Sequence, residues 1–122
     1  MSQTSPRPTG ITLHQKSRLL EISFDDGARF QLPCEYLRVY SPSAEVRGHG
    51  PGQEVLQTGK ENVNISAIEP VGSYAVRLCF DDGHDSGLYS WKLLYELGAQ
   101  HEGKWRDYLE RLKQAGIERE AS

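Results

Sequence analysis

The chain predicts an α+β domain, a small antiparallel β-sheet built on hairpins with two or three helices packed on one side. Three observations carry this reading. The string Phe-Asp-Asp-Gly occurs twice, at residues 24–27 and 80–83, each time after a run that alternates apolar and polar side chains. Two later segments repeat their apolar residues at helical spacing instead. Pro33, Gly98 and Gly116 stand at the ends of the expected helices.

Taken in order, residues 1–10 hold two prolines and little apolar matter and read as a flexible tail. Residues 11–17, ITLHQKS, read as an edge strand. RLLEISF and ARFQLP then flank the first Asp-Asp-Gly, with Leu20, Ile22 and Phe24 on one face by period two. Asp-Gly between two alternating runs is a hairpin signal, because glycine takes positive φ at no steric cost. Pro33 opens a short helix in which Tyr36, Leu37 and Tyr40 recur at helical spacing. A long segment rich in Ser, Gly and Pro follows, to about residue 62. VNISAIEPVG reads as a strand with Val63, Ile65 and Ala67 on one side. YAVRLCF leads into the second Asp-Asp-Gly, with Val76, Leu78 and Phe80 on one face and Ala75, Arg77 and Cys79 on the other. SWKLLYELG reads as a helix ending at Gly98. HEGKWRDYLERLKQAG reads as an amphipathic helix with Trp105, Tyr108, Leu109 and Leu112 in its apolar stripe. The domain is expected to span residues 11–116, with a second tail at 117–122.

Composition narrows the function. The net charge is −3 and charged residues make up 25% of 122, so a general nucleic-acid binder with a basic face is not expected. No apolar run has membrane-spanning length, and the first ten residues have no apolar signal region. Two cysteines, Cys34 and Cys79, are too few for a disulfide framework, and reduced thiols in a cytoplasmic monomer are the simpler expectation. A calcium loop would need more oxygen ligands at regular spacing than either Phe-Asp-Asp-Gly offers, so both copies read as turns. The repetition is too short to establish a duplication.

The strings LPCEYLRVYSPSAEVRGHGPGQ and FDDGHDSGLYSWKLLYELG, taken together, resemble the N-terminal domain of γ-butyrobetaine hydroxylase, over about residues 11–112. In the hydroxylase and its relative trimethyllysine dioxygenase this domain precedes a catalytic 2-oxoglutarate/iron domain and carries a zinc held by three cysteines and one histidine. It is also similar to a segment appended to some P-loop ATPases with iron–sulfur clusters. The resemblance implies that His84 matches the zinc histidine, with one residue added before Tyr89. It also implies that Ser41, Ser43 and Val46 stand where the cysteines would be. Hydroxyls and a valine cannot replace three thiolates, so no zinc is expected, with zinc or iron at His84 as the lesser alternative.

Other catalytic readings fall short. Cys34, His49, Cys79 and His84 lack paired metal-ligand spacing. His84-Asp85 are adjacent, and His14 and His101 supply no partner for the two-histidine, one-carboxylate iron triad. Residues 48–52, GHGPG, lack the Lys-Ser/Thr ending of a phosphate loop. The Cys34 thiol near a helix start could be activated, but burial would work against it. The segment after the first helix, with Arg38, Ser41, Ser43, Glu45, Arg47 and His49, and with Trp91 beneath it, is the expected recognition surface for a protein or a small anion. The function expected is a non-catalytic accessory module with a protein partner, linked through its fused relatives to iron–sulfur protein assembly. The alternative is a metal-binding domain of a 2-oxoglutarate/iron-type oxidoreductase.

Overall fold

The computed structural model describes residues 6–43, residue 46 and residues 56–118. The strands divide into two antiparallel three-stranded meanders rather than forming one sheet. The first holds β1 (Pro8–His14), β2 (Leu19–Phe24) and β3 (Arg29–Pro33). The second holds β4 (Ile65–Val71), β5 (Ala75–Phe80) and β6 (Leu88–Ser90). A helix follows each sheet directly, α1 (Cys34–Val39) after β3 and α2 (Trp91–Ala99) after β6. A third helix, α3 (His101–Gln114), follows α2.

The two β-β-β-α units are built alike down to single hydrogen bonds, which answers what the repeated tetrapeptide does. Gly27 and Gly83 both have φ near +90°, the left-handed region that favours glycine. Each glycine donates its N–H to the phenylalanine carbonyl three residues earlier, at 3.1 Å. The first aspartate of each turn grips the residue just before the unit's first strand. Asp25 N–H donates to the Arg7 carbonyl while its carboxylate accepts from Arg7 N–H. Asp81 holds Asn64 in the same two ways. The second aspartate closes its own turn, Asp26 accepting from Ala28 N–H and Asp82 from His84 N–H, the local side-chain bond that makes aspartate a turn residue. Cys34 N–H donates to Arg18 and Trp91 N–H to Tyr74, so each helix starts from the preceding hairpin in the same manner. This pinning explains why β1 begins at Pro8, inside the stretch expected to be a tail.

Both units carry a register shift at the start of their first strand, between Pro8 and Gly10 and between Ile65 and Ala67. A bulge of this kind breaks period two. Ala67 is therefore exposed and Ile68 turns toward the core, whereas strict alternation had put Ala67 beside Val63 and Ile65. The inner faces of both sheets meet in one core. Leu20, Ile22 and Phe24 come from β2, Val76, Leu78 and Phe80 from β5, and Leu37, Leu94 and Leu97 from the helices. On α3, Tyr108 and Leu112 are buried against Val39, but Leu109 is more than a third exposed and leaves the expected stripe.

Gly98 lies inside α2 rather than ending it, and its φ is not positive. Its role is close approach: a Cβ there would sit 2.4 Å from the Phe30 ring. That ring is held edge-on by Phe24 and Tyr95. Gly98→Ala is therefore expected to destabilise by about 1–3 kcal/mol through overpacking, even though alanine is the better helix former by about 1 kcal/mol. Thermal denaturation checks this, and an unchanged or raised Tm would mean that Phe30 yields freely.

Candidate functional site

Arg38, Ser41, Ser43 and His84, among the residues singled out by the sequence, meet at the second Asp-Asp-Gly turn, where the exit of α1 crosses the connection between β5 and β6. Ser41 Oγ and His84 Nε2 share a hydrogen bond of 2.9 Å, and both residues are buried. Ser43 Oγ and Ser86 Oγ share another, at 2.7 Å. Ser41 Oγ also accepts the Ser43 N–H, which folds the chain back on itself. Gly87 is required here, because a Cβ would stand 2.5 Å from Ser41 Oγ. Tyr89 closes the floor, its O–H donating to the Leu37 carbonyl at 2.5 Å, and burial pushes its phenol far up. Val46 is buried and, like Ser41, lines a cavity of about 270 Å³ between the helices.

Ser41, Ser43, Val46 and His84 were placed at metal-clamp positions from the resemblance alone, and the fold does bring Ser41 against His84. The donor set does not suit zinc. One imidazole faces a serine hydroxyl, the second hydroxyl is bonded to Ser86, and valine offers no ligand atom. Among the described residues no three His, Cys, Asp or Glu side chains gather closely enough to hold a metal ion. The imidazole–hydroxyl pair joins the exit of α1 to the β5–β6 connection, with its hydrogen bonds satisfied in the interior.

The same turn anchors a charge cluster that sequence reasoning missed. Arg38, expected to reach out from a recognition loop, is buried. Its Nε donates to Asp82 Oδ2 at 2.9 Å and its Nη1 to Gln57 at 3.0 Å. Lys60 Nζ reaches the same carboxylate oxygen at 2.7 Å. Burial opposes ionisation of Asp82, but the bonds from Lys60, the His84 N–H and Arg38 outweigh it and hold the carboxyl down to about 2. At the matching turn, among the described residues, Asp26 Oδ2 accepts only from the Tyr95 hydroxyl, at 2.6 Å. The signal available was the duplicated tetrapeptide itself, since equivalent aspartates imply equivalent free oxygens awaiting a donor.

The remaining candidates separate. Ser41 and Ser43 are buried rather than presented to solvent. Glu45, Arg47 and His49 lie outside the described residues. Trp91 lies at the β4–β5 turn, where its indole N–H donates to the Ser73 carbonyl. Cys34 is fully buried, and burial pushes its thiol up, as expected of a packed rather than reactive cysteine. His14 pairs with Glu21, while His101 lies against the Tyr36 ring, where burial lowers its pKa. No helix among the described residues is long and apolar enough to cross a membrane.

Comparison with known proteins agrees with this fold. A solution structure determined by NMR is 59% identical over 98% of this chain and 90% of its own, with a TM-score of 0.81. A second NMR structure is 48% identical over 96% of this chain and 94% of its own, also with a TM-score of 0.81. A crystal structure from Acidithiobacillus ferrooxidans, of a protein of unknown function in the DUF971 family, is 38% identical over 75% of this chain and 92% of its own, with a TM-score of 0.64. No curated protein matches. With residues 11–95, from β1 into α2, matching the profile of the γ-butyrobetaine hydroxylase-like N-terminal domain, the chain belongs to that family.

Proposed function

We propose that this chain is a non-catalytic accessory module that acts by binding a protein partner in the cytoplasm. The observation that supports it most is the state of the polar site at the second Asp-Asp-Gly turn. Ser41 and His84 are bonded to each other in the interior, Ser43 is bonded to Ser86, and Arg38 and Asp82 are paired. Side chains committed in this way have no exposed nucleophile–base pair to offer a substrate. The iron–sulfur or iron-dependent oxidoreductase character of the partner rests on the family resemblance. Zinc or iron bound by this chain would belong to the alternative reading, a metal-holding domain of an oxidoreductase.

The test is co-purification of the untagged chain, with mass spectrometry of what accompanies it and metal analysis of the chain alone. The expected result is a stoichiometric protein partner that carries iron, and no zinc on the isolated chain. One equivalent of zinc that His84→Ala removes, or turnover by the isolated chain, would replace this reading.

A further inference from the structure

The internal repeat creates the same crevice twice. In each, the start of one unit's first strand meets the other unit's first hairpin turn and the start of its helix. The first crevice is shut. Gln15 Nε2 donates to the Ile65 carbonyl, Asn64 Nδ2 donates to the Gln15 carbonyl, and the Cys34 thiol lies against Asn64. The second crevice, where Pro6, Arg7 and Pro8 meet Tyr74, Trp91 and Lys92, is open and encloses a groove of about 580 Å³. Where the first crevice has a fully buried cysteine, this one has the half-buried indole of Trp91. Tyr74 is 66% exposed beside it, more than any other large apolar side chain among the described residues.

Exposed tyrosine and tryptophan faces are characteristic anchors of binding surfaces, because they cover much area at little conformational cost. The charge of the groove selects among occupants. The chain as a whole carries −3, yet the groove is lined by two cations and no carboxylate. Arg7 and Lys92 are exposed, and their side chains form no ion pair among the described residues. The Asp25 carboxylate, beside Arg7, accepts the Arg7 backbone N–H rather than its guanidinium.

We infer that this groove docks an acidic peptide segment of the partner protein, with an apolar side chain against Trp91 and Tyr74 and carboxylates against Arg7 and Lys92. The inference rests on the accessory-module reading and supplies that module with its surface. Isolated cations on an acidic protein favour an acidic segment over a polyanion such as nucleic acid, which the net charge repels at longer range.

The test is an NMR titration of the full chain with two short synthetic peptides. One carries Asp and Glu around a central Leu-Pro, and the other carries Asn and Gln in their place. The two tryptophans give two indole N–H signals, and Trp105 on α3 serves as the internal control. The acidic peptide is expected to shift the Trp91 signal saturably and leave Trp105 unmoved. The double variant Arg7→Glu/Lys92→Glu should weaken binding at least about tenfold with no change in Tm, as should the amide peptide against the unmodified chain. Four results would overturn the inference: no saturable shift, equal binding of the amide peptide, a Trp91 shift on dilution of the chain alone (a second copy in the groove), or the same shift on deleting residues 1–5 (the chain's own terminus in it). A natural partner retained by the double variant would sink the groove while leaving the accessory-module reading intact. Failure of the unmodified chain to bring down any partner would sink that reading.

Discussion

Asp82→Asn is expected to lower folding stability by about 2 kcal/mol, whereas Asp26→Asn, at the equivalent turn, should have a much smaller effect. Asparagine keeps the Oδ1 acceptor that closes each turn, so the comparison isolates the second oxygen. At Asp26 that oxygen meets the Tyr95 hydroxyl at the surface. At Asp82 it meets Arg38, whose side chain is 8% exposed, together with Lys60. Removing the carboxylate leaves a buried guanidinium without its counter-charge, a change that costs about 3–5 kcal/mol when both partners are dry. The Asp82 side chain is 23% exposed, and water screens the pair accordingly, so the smaller figure is expected. For a chain of this size it corresponds to a fall in Tm of roughly 5–10 °C.

The pH dependence follows from the same carboxylate. Its folded pKa of about 2 lies below the ordinary 3.8, so its stabilisation is complete above about 3.8 and is lost as pH falls toward 2. Urea denaturation of the unmodified chain and of Asp82→Asn should therefore give curves that are apart at neutral pH and converge near pH 2. Equal losses for the two asparagine variants at pH 7 would refute the role assigned to Arg38.

Ile22→Ala and Leu78→Ala form the second comparison. Each residue sits at the centre of its unit's middle strand and is fully buried, and both belong to one continuous core. Each truncation is expected to cost about 2–5 kcal/mol, a large part of the 5–15 kcal/mol typical of a domain. Because the sheets share that core, either variant should lower the protection of backbone amides in both units together, with one cooperative transition. Two transitions, or loss of exchange protection confined to the mutated unit, would mean that the repeats fold separately.

Much of the architecture could be read along the chain. Alternation placed β2 and β5, glycine after aspartate placed both tight turns, and helical spacing placed α1, α2 and α3. Pairing of Ser41 with His84 was reachable only through family resemblance, since forty-three residues of chain separate them. Arg38 was misjudged because a charge on a short helix beside a polar segment reads as solvated. Its burial depends on Asp82 arriving from the other unit. Gly98 was misjudged because glycine at the end of a helical pattern signals a cap, and nothing nearby in the chain announces Phe30.

Local chemistry thus dictated where this polypeptide turns, extends and coils, because turn preferences and side-chain periodicity act over a few neighbouring residues. The division into two meanders, the bulges that redirect Ala67 and Ile68, and the sealing of one crevice but not its twin were settled by distant segments meeting. Those outcomes depend on which side chains fill a shared interior and which carboxylates find a cation there, and no short window of residues contains both members of such a pair.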